Sequence, residues 1–135
     1  DLSFEESSIL DDVIGENDIA HIQLVSSTTS PIRKKEIATH SEGFLYTVAL
    51  KGITGQQVNF DQEIIDFFND IKSTSTQASY CGIGIRTPEQ AKEISKYCDG
   101  VIVGSSIVEK LMNDPKDLKS IGEFVKKLRT SIDEV

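Results

Sequence analysis

Four short apolar runs alternate with segments of helical periodicity, and that alternation constrains the fold more than any other feature of the chain. The runs are Ile19–Val25, Gly43–Val48, Ala78–Cys81 and Gly100–Val103. Each is rich in β-branched or aromatic residues and bounded by Gly, Ser or Asp, which is the pattern of a buried strand. Between them, Ser30 and Pro31 open a helix to Thr39 as N-cap and first helical residue. Asp61 to Lys72 places Ile64, Ile65, Phe67, Phe68 and Ile71 on one face. Thr87-Pro88-Glu89-Gln90 has the cap, proline and glutamine order of a helix start, running to Tyr97. Further helices are expected from Phe4 to Ile14, closing near Gly15, and from Lys116 to Ile132. Strands that alternate with helices in this way form right-handed βαβ units around a parallel sheet.

In such sheets the working residues collect in the loops after the strands. The third strand is followed by Gly82-Ile83-Gly84-Ile85-Arg86-Thr87-Pro88, and the fourth by Gly104-Ser105-Ser106-Ile107-Val108, leading into a short helical turn. Glycines let backbone amides approach a ligand, and the first turn of a helix offers unpaired N–H groups at the positive end of its dipole. Two such loops on successive strands describe the phosphate site of a (β/α)8 barrel. Ser105 adds a hydroxyl donor, and no cationic side chain is required. The loop after the second strand, from Ala49 to Phe60, is long and carries Gly52 and Gly55 around Ile53-Thr54. A loop of that length in that place reads as a lid. Tyr46, near the end of its strand, lines a ligand pocket or packs in the core; the pattern leaves both open.

Composition removes several alternatives. The net charge of −8 and a pI near 4.7 oppose a nucleic-acid surface, which needs a basic footprint. The basic runs Arg33-Lys34-Lys35 and Lys126-Lys127 with Arg129 fall in helical patterns and read as solvated helix faces. No apolar stretch reaches the roughly 20 residues of a membrane span, and no signal peptide is evident, so cytoplasmic residence is expected. Cys81 and Cys98 are too few and too distant in sequence for a disulfide framework, and read as buried thiols. No metal-ligand spacing, Walker loop or nucleophile elbow is present, and no cofactor is expected. His21 reads as a core residue of its strand, and His40 as a cation at a helix C-terminus. Asp1, Glu5 and Glu6 surround a helix N-terminus, where acidic residues stabilise without catalytic work. No linker or low-complexity stretch interrupts residues 1–135, which are expected to form one domain.

The order Gly43-Phe44-Leu45-Tyr46, Gly52-Ile53-Thr54-Gly55, Gly82-Ile83-Gly84-Ile85 with Thr87-Pro88-Glu89-Gln90-Ala91, then Asp99 to Val108, resembles the tryptophan synthase α-subunit family. Asp1 to Ser7 resembles the segment after that family's fourth strand, and Val25 to Ser30 the loop after its fifth. The Gly-Ile-Thr-Gly loop discriminates best, because other phosphate-binding barrels share only the last two motifs. The resemblance implies the C-terminal half of a TIM (β/α)8 barrel, strands 5–8 with their helices. It implies retro-aldol cleavage of indole-3-glycerol phosphate to indole and glyceraldehyde 3-phosphate, within a heterotetramer containing a β subunit. By the same resemblance Gly55, Gly84, Gly104 and Ser105 bind the substrate phosphate. Tyr46 and Ile83 line the pocket, and Gly52 and Thr54 belong to the lid. Departures are Ser3 for the family's usual proline, Ile83 for phenylalanine and Leu50 for arginine. The family's catalytic glutamate and aspartate belong to its second strand and the following loop, and no part of this chain corresponds to them, so the chain alone is expected to be inactive. Two alternatives remain: another phosphate-handling barrel, of the phosphoribosyl isomerase or thiamine-phosphate synthase kind, and a non-catalytic phosphate-binding module.

Overall fold

A computed structural model describes residues 2–48, 62–82 and 84–135. A 3-10 segment, Phe4–Leu10, precedes α1 (Asp11–Glu16); β1 (Gln23–Ser26), α2 (Pro31–His40) and β2 (Phe44–Val48) follow. Then come α3 (Gln62–Thr74), β3 (Ala78–Cys81), α4 (Pro88–Ser95), β4 (Gly100–Val101), α5 (Ser105–Asn113) and α6 (Leu118–Asp133). Among the described residues the four strands form one sheet in sequential order, β1-β2-β3-β4, and every pairing is parallel. A doubly wound sheet reverses its strand order at a switch point; a barrel does not. The unreversed order is therefore the barrel pattern, with β1 and β4 as its two outer edges.

Side chains alternate across the pleat, and the alternation separates two faces. Val25, Leu45 and Cys81 point into the layer of helices and share one apolar core with Ile37, Ile64, Phe67, Phe68, Ile71, Ala91, Ile94 and Leu128. The polar members of that face are all paired. Thr47 Oγ1 donates to Tyr80 O at 3.1 Å, and Asp99 Oδ2 accepts from both the amide (2.8 Å) and hydroxyl (3.1 Å) of Ser79. Among the described residues no buried side-chain polar atom lacks a partner, as a stable core requires. The opposite, concave face carries Leu24, Tyr46, Tyr80 and Gly100, which the register places in one row across the sheet.

Local chemistry explains the helices. Ser30 caps α2 by accepting from the Arg33 amide, and α4 opens with a reciprocal capping box between Thr87 and Gln90, each satisfying otherwise orphaned amides. The helix expected from Phe4 to Ile14 is split between the 3-10 segment and α1. Its serines turn to local acceptors instead: Ser3 Oγ donates to Glu6 at 2.9 Å and Ser7 Oγ to Phe4 O at 2.7 Å. Gly15 does not close α1, which runs on to Glu16; the left-handed residue that follows is Asp18, at φ 53°. The first strand begins at Gln23 rather than Ile19, because the ladder with β2 starts there, and the Ile19 amide bonds back to Ile14 O at 3.2 Å. The fourth is two residues long because β3 ends at Cys81. The helix after it is nine residues, longer than the short turn expected.

Two further residues differ from the sequence reading. His21 lies before β1, half-buried, with its Nε2 3.2 Å from the Gln23 side-chain amide. Lys34 is not solvated: it is 8% exposed, pairs with Asp70, and its ammonium sits 5.4 Å from the Phe67 ring centroid. The turn of α2 that exposes Arg33 to Glu5 aims Lys34 at α3, a distinction that composition alone does not carry. The two cysteines, remote in sequence, are neighbours: a hydrogen bond from the Cys81 thiol holds the Cys98 thiol below its ordinary 9.0. Both are buried thiols outside any disulfide. His40 behaves as expected of a helix end, with Nδ1 2.8 Å from Glu36 O.

Candidate functional site

All four strands are parallel, so their C-terminal ends share one edge of the sheet. Beyond β1, Ser26, Thr28 and Thr29 close a small hydroxyl-bonded turn, with the Ser26 amide donating to Thr29 Oγ1 at 3.0 Å. Beyond β3 the chain turns at Gly82, whose amide donates to Thr47 O at 3.0 Å. Gly84 follows with φ +62°, the left-handed region that glycine adopts without a steric penalty. Among the described residues nothing lies within 4 Å of where a Gly84 side chain would begin, and the same holds for Gly104.

Gly104 precedes α5 and no side chain caps that helix. The Ile107 and Val108 amides donate to Gly104 O at 2.9 and 3.1 Å, which leaves the Ser105 and Ser106 amides without an intrahelical acceptor at the positive end of the helix dipole. The β4 loop and the β3 loop are joined by Ser106 Oγ, which donates to Ile85 O at 2.7 Å. An exposed ion pair, Arg86 to Glu109 at 3.5 Å, joins them again farther out. Gly84, Gly104 and Ser105 are thereby brought to one corner of the C-terminal edge. Backbone amides arranged in this way at a helix N-terminus are able to hold an anion.

Tyr46 lies on the concave face of the same edge, and its ring occupies the space over Gly82. A Cβ built on Gly82 falls on the Tyr46 hydroxyl and 2.6 Å from Cζ. The next aromatic does the same one strand over: Tyr80 leans on Gly100, 3.1 Å from a built Cβ, and stacks with Phe44 at 4.6 Å between centroids. Each glycine thus seats a ring from the preceding strand. The Tyr46 phenol thus stands beside the β3 loop, on the side of the sheet away from the helix-side core. Gly52, Thr54, Gly55 and Ile83 lie outside the described residues.

Sequence reasoning passed over Gly82 and Ser106. Glycine at a strand end has an ordinary explanation in turn geometry, and a serine in a helix's first turn usually bonds within that turn. Only the three-dimensional arrangement shows a ring over one and a cross-loop bond from the other. No carboxylate stands in the loops that follow β1, β3 and β4, at residues 27–30, 82–87 and 102–104. A cavity of about 530 Å³ at the other end of β1, lined by Phe4, His21, Gln23, His40 and Glu42, is on the face where barrels carry stability and not chemistry. No metal-binding group of His, Cys, Asp or Glu occurs among the described residues. No helix among them is long and apolar enough to cross a membrane.

Comparison with known proteins follows the same geometry. A family model described as tryptophan synthase alpha chain matches residues 1–134. The tryptophan synthase alpha chain of Dehalococcoides mccartyi is 37% identical over 133 residues, 98% of this chain and 52% of that protein. That of Bacillus cereus is 39% identical over 125 residues, 93% of this chain and 48% of the relative. The solved alpha subunit from Campylobacter jejuni superposes with a TM-score of 0.81 at 36% identity, over 95% of this chain and 51% of its own. A tryptophan synthase structure from Mycobacterium tuberculosis gives 0.82 at 28% identity, over 98% and 49%. The chain spans about half the length of the curated relatives it matches.

Proposed function

Because the chain belongs to the tryptophan synthase alpha chain family, we propose that it is the phosphate-gripping, C-terminal half of a barrel that cleaves indole-3-glycerol phosphate to indole and glyceraldehyde 3-phosphate. The observation that carries this reading is the corner where left-handed Gly84 and the uncapped start of α5 come together. The substrate phosphate is held there by the backbone of Gly84, Gly104 and Ser105, with the Ser105 hydroxyl as a further donor. By the family resemblance, Gly55 completes the phosphate set, Ile83 joins Tyr46 in the pocket, and Gly52 and Thr54 serve the lid. Tyr46, seated on Gly82, borders the space into which the rest of the substrate extends.

Binding at a phosphate far from the bond that breaks supplies orientation rather than chemistry. Cleavage needs a proton delivered to the indole ring carbon and protons removed from the ring nitrogen and a side-chain hydroxyl. Positioned acids and bases contribute about 10²–10⁴-fold each, and the loops at residues 27–30, 82–87 and 102–104 contain none. The proton transfers therefore fall to the other half of the barrel. The whole enzyme is cytoplasmic, takes no cofactor in this subunit, and works in a heterotetramer with a β subunit that uses the indole.

Calorimetric titration with inorganic phosphate tests the grip. Ser105→Asp abolishes binding in this account, because a carboxylate competes for the same amides. Equal affinity in wild type and variant overturns the placement.

A further inference from the structure

We propose that Ser106 is a positioning residue that fixes the distance between the two halves of the phosphate grip. The inference rests on the phosphate reading above and adds a residue to it that does not itself touch the anion. The β3–β4 ladder ends at Cys81 and Val101, with one further bond from the Ile102 amide to Cys81 O at 2.8 Å. Beyond that point no described residue lies within 4 Å of a Cβ built on Gly84 or Gly104. Ser106 joins the two loops again.

Its surroundings show what kind of joint it makes. Ser106 is the second residue of α5 and is 7% exposed; its hydroxyl donates to Ile85 O at 2.7 Å, across 21 residues of sequence. A serine in a first helical turn ordinarily satisfies its hydroxyl within its own turn. Here the hydroxyl leaves the helix, and its acceptor is a fixed point. Ile85 is 1% exposed, and the next two amides, of Arg86 and Thr87, both donate to Gln90 Oε1 at 2.8 and 3.3 Å. One end of the tie is thus anchored to the core and α4 immediately after Gly84, and the other to α5 immediately after Ser105. The exposed Arg86–Glu109 pair, with both side chains more than half accessible, is too well solvated to hold such a distance. An anion gripped from two loops binds well only if both sets of amides stay in register, so the buried hydroxyl sets affinity through geometry.

The test compares inorganic phosphate binding by calorimetry in four variants of the full chain, each checked by urea unfolding. Ser106→Ala should weaken phosphate about tenfold, equivalent to about 1.4 kcal/mol. Ser106→Thr, which keeps the hydroxyl, should bind within about twofold of wild type, and Ser106→Cys, a weak donor of similar size, should fall between. The control is Ser131→Ala, which removes a hydroxyl shared between Leu128 O within α6 and Pro88 O of α4, each at 2.9 Å. It should lose similar stability and leave phosphate affinity unchanged. Unaltered affinity in Ser106→Ala, or equal weakening in Ser131→Ala, overturns the positioning role while leaving the site itself intact. Absence of phosphate binding in wild type overturns the site and this role together.

Discussion

Substituting Gly82 with alanine puts a methyl group where the Tyr46 phenol already lies. The new carbon stands 2.6 Å from Cζ and 3.1 Å from Cε1 of Tyr46, against about 3.5–4.0 Å for carbons in contact. The backbone offers no resistance of its own, since Gly82 is not among the glycines at positive φ, and its amide bond to Thr47 O need not break. The whole cost is the displaced ring. Overpacking a well-filled site costs about 1–3 kcal/mol. The lower part of that range applies, because Tyr46 is half-buried and can swing over the concave face at about 0.5–1.5 kcal/mol for an off-rotamer angle. Gly82→Ala should therefore destabilise by about 1–2 kcal/mol in urea unfolding. In a Tyr46→Ala background the collision is gone, and the same substitution should cost under about 0.5 kcal/mol. A double-mutant cycle thus predicts a coupling of about 0.5–2 kcal/mol, against the roughly 0.3–0.5 kcal/mol scatter of independent sites. Additive effects would refute the seating of the ring on the glycine.

Lys34→Ala should cost about 1–3 kcal/mol, because it removes a buried stem, the Asp70 partner and the Phe67 ring contact. Lys34→Met keeps the stem and should cost less, and the exposed Lys35→Ala under about 0.5 kcal/mol; equal effects at 34 and 35 in urea unfolding would contradict the burial. Glu89, in the first turn of α4, is held below the ordinary 4.5 by a backbone amide and then by the Thr87 hydroxyl. The stability that it contributes is present above its unfolded-state value and is lost as pH falls through the lower folded-state value. An NMR titration should give a midpoint below 4.5 in wild type and one nearer 4.5 in Thr87→Ala; an unmoved midpoint would contradict the hydrogen-bond assignment.

Strand and helix identity was legible where local chemistry decides it. The Ser30-Pro31 and Thr87-Pro88-Glu89-Gln90 caps form as their residue types require, and β2 and β3 fall on their apolar runs. Strand ends were less legible, because a strand stops where its partner stops. Ile19 to Ile22 have the composition of β1, but the ladder begins at Gln23. At the candidate site, the left-handed glycine at 84 and the helix start at Ser105 lie in the glycine-rich loops where the sequence places them. Relations between loops were not legible. The Ser106–Ile85 bond, the Tyr46 ring over Gly82 and the contact of Cys81 with Cys98 join residues 17 to 36 positions apart, and no periodicity within either segment encodes them. Lys34 shows the same limit for charge: three consecutive basic residues look equivalent in sequence, but one turn of helix sends one of them into the core.

The central claim is that these 135 residues hold the substrate phosphate and leave the proton transfers to the other half of the barrel. Single-turnover indole release from indole-3-glycerol phosphate measures this directly, with the chain alone and with the same chain joined to the N-terminal half of a tryptophan synthase alpha chain. The account predicts no measurable indole from the chain alone and recovery in the joined protein, with Ser105→Asp weakening the recovered activity through substrate affinity. Indole release from the chain alone at a rate near that of the joined protein would contradict it, and would place the acid–base chemistry among residues assigned here to binding and packing.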